Sequence, residues 1–134
     1  MNGTIEIDIL DASLREPLIE RSDVVISMLP ARFHMDVIND CIRFKKHVIP
    51  PSYVNDEIRA LDEEAKNAGI IIMNELGLDP GIDHMSAMRI LDKIRERGDE
   101  IKYFESFTGG LIAPASDDNP WNYKFTWNPR NVVI

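Results

Sequence analysis

The chain has 134 residues, 44% of them hydrophobic and 28% charged, with a formal net charge of −8. This length and composition suit a folded α/β-sized domain, exclude disordered, collagen-like and membrane classes, and leave no stretch near the roughly 18 apolar residues of a membrane span. The negative charge carries no Arg/Lys-rich stripe, which excludes phosphate-backbone binding as the main activity, and the lone Cys41 and residues 1–10, with neither a basic start nor a long apolar stretch, point to the cytoplasm.

In chain order, Ile5, Ile7 and Ile9 alternate as in a short strand over residues 4–9, and a weak helical pattern follows over residues 13–20, kept short by Pro17. Ser22-Asp23-Val24-Val25-Ile26-Ser27-Met28-Leu29-Pro30 is a continuous β-branched run of the kind buried on both faces of a parallel sheet. Phe33, Val37, Ile38, Cys41 and Ile42 recur at helical spacing, and a short strand at residues 47–49 ends at Pro50-Pro51. Asn55 reads as an N-cap with Asp56 and Glu57 in the first turn, Ile58, Leu61, Ala65 and Ala68 form one stripe, and Gly69 takes the C-cap.

Residues 70–73 read as the next buried strand, and Asp79-Pro80 as the start of a helix carrying Ile82, Met85, Met88, Leu91 and Ile94 and closing near Gly98. Strands alternating with helices imply a doubly wound, Rossmann-like parallel α/β sheet. The texture changes near residues 98–101. Residues 102–108 read as a strand, and the alternating aromatics Trp121, Tyr123, Phe125 and Trp127 as strand and interface. We therefore expect one domain over residues 1–98 and the start of a second α/β domain over 99–134.

Ligands of open parallel sheets bind beyond the carboxyl ends of the strands, so chemistry is expected at residues 27–33, 50–53 and 74–84. The last segment packs three carboxylates, one imidazole and two glycines into a strand-to-helix junction. Asp79 there reads either as a helix cap or as a base or orienting group. Tyr53 reads either as edge packing or as a proton donor. His34, His47 and Cys41 lie on different elements without ligand spacing, so no metal site is expected. His84 beside Asp83 is expected to anchor the loop. The glycines follow no Gly-x-Gly-x-x-Gly spacing, so the chain carries no phosphate cradle of that kind.

These segments, together with Lys46-His47-Val48, Ser52-Tyr53-Val54, Asn74-Glu75-Leu76-Gly77-Leu78-Asp79-Pro80-Gly81-Ile82-Asp83-His84, Gly109-Gly110-Leu111-Ile112-Ala113-Pro114 and Tyr123-Lys124-Phe125-Thr126-Trp127, resemble the saccharopine dehydrogenase family, in particular its NADP-dependent, glutamate-forming branch. The eleven residues from Asn74 to His84 are the most specific part. The resemblance spans essentially the whole chain and implies an internal fragment: residues 1–9 fall at about the family's third strand, and Ile134 just inside its second domain.

The resemblance implies an NAD(P)-dependent oxidoreductase of lysine metabolism that reduces an imine formed from an aldehyde and an amino acid. It places the nicotinamide, from NADP or NAD, near Ser27, Met28, Leu29 and Pro30 with Gly77 and Leu78, gives Tyr53 and Asp79 acid–base roles, and puts substrate at Arg32, Asp79, Gly109 and Gly110. Two departures bear on substrate. Thr108 stands where the family has a cysteine before the Gly-Gly pair, and Arg32 lies in a segment that usually reads aromatic-Thr after Leu-Pro. Another imine, as in polyamine synthesis, and a non-catalytic association module remain open. As a fragment the chain is expected to be inactive and to self-associate into a homo-oligomer through an unpaired sheet edge.

Overall fold

The β-branched run forms strand β1 (Val24–Ile26), paired in parallel with β2 (His47–Ile49) in the register Val24 to His47, Val25 to Val48 and Ile26 to Ile49. The computed structural model describes residues 3–126. Parallel neighbours require a crossover, and it is supplied by a single turn of 3₁₀ helix (Ala31–Phe33) running into α2 (His34–Phe44). On the other side of β2, Val48 bridges Ile72 in parallel: its N–H donates to Ile71 at 3.0 Å and its carbonyl accepts from Met73 at 2.9 Å. The sheet order is thus β1, β2, residues 70–73, with β2 central.

Before β1, Asp11 caps α1 (Ala12–Glu20) by accepting from the Ser13 N–H at 2.9 Å. Between β2 and residues 70–73 lie α3 (Asp56–Ala60) and α4 (Asp62–Ala68). Asn55 caps α3 by accepting from the Ile58 N–H at 2.9 Å, and Gly69 ends α4 at φ 72°, a left-handed conformation cheap only for glycine. One core joins these pieces: Ile19 of α1, Val37, Ile38 and Cys41 of α2, Val48 of β2 and Ile58 of α3. Each buried aliphatic side chain contributes about 1.5–3 kcal/mol, so α2, with two such side chains and Cys41, is the best anchored helix. Burial, reinforced by the Asp40 charge, pushes the Cys41 thiol up to about 12, so it behaves as an inert apolar group. Arg15 and Asp40 form a buried pair at 2.6 Å between α1 and α2, and Arg15 also donates to the Ile9 carbonyl.

Several expected elements differ. Residues 4–9 make no strand: Ile7 and Ile9 line one cleft of about 480 Å³ together with Val24, Val25 and Ile26, and the segment makes no ladder with β1. Alternation marks which residues share a face but supplies no hydrogen-bonding partner. For the same reason β1 is not covered on both faces, and Val24 and Ile26 are exposed. Residues 70–73 make a single bridge in place of a full strand, with Ile71 and Met73 exposed. The expected long helix after Asn55 breaks at Leu61 into α3 and α4. Residues 102–108 and 121–126 form no strand, and Trp127 lies outside the described residues.

The chain divides into two units, Met1–Ile90 and Leu91–Ile134. The first holds the sheet and every buried core residue named above. Helix α5 (Ile82–Glu96) has no buried residue, so its apolar stripe is largely exposed, with Ile82, Met85 and Met88 in the open. In the second unit a 3₁₀ turn (Pro114–Ser116), an edge-to-face contact of Tyr123 with Phe125 at 5.3 Å and an ion pair of Lys124 with Asp118 at 2.7 Å are among the local features of the described residues. Among the described residues no helix is long and apolar enough to cross a membrane.

Candidate active site

Three loops meet at the carboxyl edge of the sheet, after β1, after β2 and after residues 70–73. Ser27 follows β1 and continues its ladder by donating its N–H to Ile49 at 3.1 Å, which turns the hydroxyl inward. That hydroxyl lies 2.9 Å from His34 Nδ1, and His34 Nε2 lies 2.9 Å from the Ser52 hydroxyl in the loop after β2. His34 is 1% exposed, and burial holds its imidazole below the ordinary value, hence neutral.

Ser52 is also held from the third loop. Its carbonyl accepts from the Glu75 N–H at 3.2 Å and from Asn74 Nδ2 at 3.3 Å, while Glu75 Oε1 accepts from the Val54 N–H at 3.1 Å. Between these anchors Tyr53 projects outward, 37% exposed, and its hydroxyl donates to Asp79 Oδ1 at 3.4 Å. Partial burial raises the phenol above its ordinary value, and the negative charge of Asp79, its hydrogen bond, and the charges of Asp83 and Glu75 act in the same direction. Tyr53 therefore stays protonated near neutral pH, suited to give a proton and not to take one. The 3.4 Å separation is longer than a strong O–H···O⁻ bond.

Asp79 is not a helix cap. Helix α5 starts at Ile82, the Gly81 N–H is taken by Asp83 Oδ1 at 3.0 Å, and the Asp79 carboxylate faces Tyr53. The loop that allows this is tight: the Gly77 N–H donates to the Pro80 carbonyl at 2.9 Å and the Ile82 N–H to the Gly77 carbonyl at 3.0 Å. Gly81 adopts φ 145°, and a Cβ there would stand 2.3 Å from the Gly77 carbonyl oxygen. His84 Nδ1 hydrogen-bonds Asp83 Oδ1 at 2.8 Å, as the anchoring reading expects. Ligand-type atoms of Asp79, Asp83 and His84 lie within 4.8 Å of one another, a grouping that the spacing of His34, His47 and Cys41 did not foreshadow.

Of the other residues singled out, Met28 (76% exposed) and Leu78 (74%) stand out from the edge, Leu29 packs against the core, and Pro30 precedes the 3₁₀ turn. The Ser27 hydroxyl is engaged by His34 and the Gly77 N–H by Pro80. Arg32 stacks on Phe33, its guanidinium 4.6 Å from the ring centre. In the second unit Gly109 and Gly110 are exposed, with Gly110 near the Tyr123 ring. One cleft of about 680 Å³, lined by Val54, Ile58, Ile70 and Ile72 among others, does not include Tyr53 or Asp79, so the site rests on its chemistry and not on cavity size.

Sequence reasoning missed His34 and Ser52. His34, Val37, Ile38 and Cys41 fall at helical spacing, which puts the imidazole on the buried face and was the available signal.

A parallel α/β sheet whose loops gather at its carboxyl edge is the arrangement of a Rossmann-like domain. The family models "Saccharopine dehydrogenase NADP binding domain" and "Saccharopine dehydrogenase C-terminal domain" match residues 3–73 and 77–134, and the chain belongs to the saccharopine dehydrogenase family. It is 46% identical over 130 residues to saccharopine dehydrogenase [NADP(+), L-glutamate-forming] of Pyricularia oryzae, covering 97% of this chain and 29% of that protein. It is 44% identical to alpha-aminoadipic semialdehyde synthase of Arabidopsis thaliana over 96% of this chain and 12% of that protein. The solved structure of apo histidine-tagged saccharopine dehydrogenase (L-Glu forming) from Saccharomyces cerevisiae matches with a TM-score of 0.75 and 43% identity, over 96% of this chain and 29% of that one.

Proposed function

We propose that the chain forms the carboxyl-edge part of an NADP-dependent oxidoreductase of lysine metabolism that reduces an imine, formed from glutamate and an aldehyde, to a secondary amine. The observation that carries this reading is the Tyr53 hydroxyl aimed at the Asp79 carboxylate at the sheet edge. Forming an imine moves protons twice, onto the carbinolamine oxygen as water leaves and off the amine nitrogen as it adds. A protonated phenol beside a carboxylate can give the first and receive the second.

The residues present fit a nicotinamide. Met28 and Leu78 offer exposed apolar surface on two edge loops, flanked by Leu29, Pro30 and Gly77, and Ser27 braces that edge from beneath through His34. Reduced nicotinamide, when bound, supplies the hydride. We place the substrate at Asp79 and Arg32, the guanidinium pairing with a substrate carboxylate. Gly109 and Gly110 are proposed as further substrate positions of the second unit. The domain division near residue 98 belongs to the same proposal and is supported by the end of α5 at Glu96, after which no helix or strand occurs before Pro114. Homo-oligomerisation, supported by exposed Val24, Ile26, Ile71 and Met73 on the sheet, and a cytoplasmic site are proposed with it.

The test is NADPH oxidation with glutamate and aminoadipate semialdehyde by a protein in which this chain is joined to a glycine-rich dinucleotide loop. Tyr53→Phe and Asp79→Asn are each expected to lower kcat/KM by about 10²–10⁴-fold with the fold intact by circular dichroism. Unchanged turnover in both variants would sink the reading.

A further inference from the structure

Ser52 and Tyr53 are consecutive, so whatever fixes the Ser52 side chain also fixes where the Tyr53 backbone leaves the sheet. Two independent anchors do so. Glu75 and Asn74 hold the Ser52 carbonyl from the loop that leads to Asp79, and His34 holds the Ser52 hydroxyl from the start of α2. The far side of the same imidazole is tied to Ser27 at the end of β1. Both ring nitrogens have partners, at 2.9 Å each, and with 1% of the residue exposed no water can replace a lost partner without opening the packing.

We infer that His34 is a positioning residue for the Tyr53–Asp79 pair, linking the end of β1 to the loop after β2 and setting the reach of the phenol toward the carboxylate. The inference rests on the acid–base reading of that pair. A neutral imidazole has one donor and one acceptor, so one serine must donate to it and the other accept from it. This gives the chain Ser27, His34, Ser52 a fixed polarity, and an apolar or charged side chain at position 34 cannot reproduce it. Within the chain the two bonds differ in what they control: the Nδ1 bond reaches only the strand end, whereas the Nε2 bond reaches the residue next to Tyr53.

That difference gives a test free of activity. An Asn side chain can stand in for Nδ1 and a Gln side chain for Nε2, so His34→Asn keeps the Ser27 contact and His34→Gln the Ser52 contact. In the full 134-residue chain labelled with ¹³C at the tyrosine Cζ, the Tyr53 phenol titration is followed by NMR, with Tyr53→Phe assigning the signal. Wild type titrates above the ordinary value, chiefly from partial burial and then from the Asp79 charge.

The inference expects His34→Asn and Ser52→Ala to bring the Tyr53 titration down toward that of an isolated tyrosine, and His34→Gln and Ser27→Ala to leave it near wild type. A histidine that only fills the core predicts the opposite grouping, with both His34 variants alike and Ser52→Ala silent, and that result would overturn it. Ser52→Ala removes only a hydroxyl, so it keeps the test decisive should a His34 variant unfold. Positioning fails if Tyr53 ignores Ser52→Ala, whereas the acid–base reading fails if turnover ignores Tyr53→Phe.

Discussion

Ser52 and Tyr53 are neighbours, yet Ser52 belongs to a buried chain with His34 and Ser27 whose links are both 2.9 Å, while Tyr53 is 37% exposed and meets Asp79 at 3.4 Å. The buried half is closed, with both imidazole nitrogens partnered and one donor matched to one acceptor across it. Tyr53 and Asp79, by contrast, stand where a substrate can reach them and retain hydrogen-bonding capacity beyond each other. The contrast teaches how the edge divides its labour. A buried polar network is costly to disturb and so can hold position, and an exposed pair with a long contact can exchange protons.

The loop that carries Asp79 is disrupted most severely at Gly81. Its φ of 145° and the 2.3 Å that would separate an added methyl carbon from the Gly77 carbonyl oxygen leave no room for a side chain. Gly81→Ala is expected to lose about 3 kcal/mol by urea denaturation and to carry Asp79 away from Tyr53, with the Ser27–His34–Ser52 bonds retained. Equal loss of both halves would show that they are one cooperative unit, and an unchanged urea midpoint would show that the tight Gly77–Gly81 turn is not what places Asp79.

Legibility in the sequence followed the range of the interactions. Asn55 and Gly69 were readable because a cap depends on residues within one turn, and α2 because Val37, Ile38 and Cys41 repeat at helical spacing. Residues 4–9 alternate like a strand and residues 102–108 are rich in aromatics, but neither pattern carries information about a partner strand, and none pairs with them among the described residues. The three edge loops follow the strand ends that the apolar runs marked. Asp79 was ambiguous because Asp-Pro before an apolar run reads equally as a helix start, and only the turn through Gly81 moves the first helical residue to Ile82 and frees the carboxylate. His34 was hidden because its partners lie 7 and 18 residues away, at a separation that no local pattern encodes.

Acid tests the buried half next. Burial lowers the His34 pKa from the ordinary 6.5, so the folded state holds the imidazole neutral while the unfolded chain binds a proton more readily. The sign follows: stability is intact above about 6.5 and falls as the pH drops below it, by at most about 1.4 kcal/mol per pH unit from this group. Urea midpoints between pH 7.5 and 5 are expected to show that slope in wild type and to lose it in His34→Gln. A slope that survives in the variant would mean that carboxylates and not the imidazole set the acid sensitivity.

The smallest effect is expected in the helix that follows the loop. Asn55, two residues after Tyr53, accepts from the Ile58 N–H at 2.9 Å and so caps the start of α3, with Ile58 in the core. Asn55→Ala removes one cap and is expected to cost about 1 kcal/mol by urea denaturation. If Ser52 is anchored by His34 on one side and by Glu75 and Asn74 on the other, fraying of α3 stops short of Tyr53, because the Val54 N–H is still held by Glu75 at 3.1 Å. The Tyr53 titration should then match wild type although stability has fallen. A titration that moves with the lost cap would place the control of Tyr53 in α3, and would mean that the buried chain secures the strand ends alone.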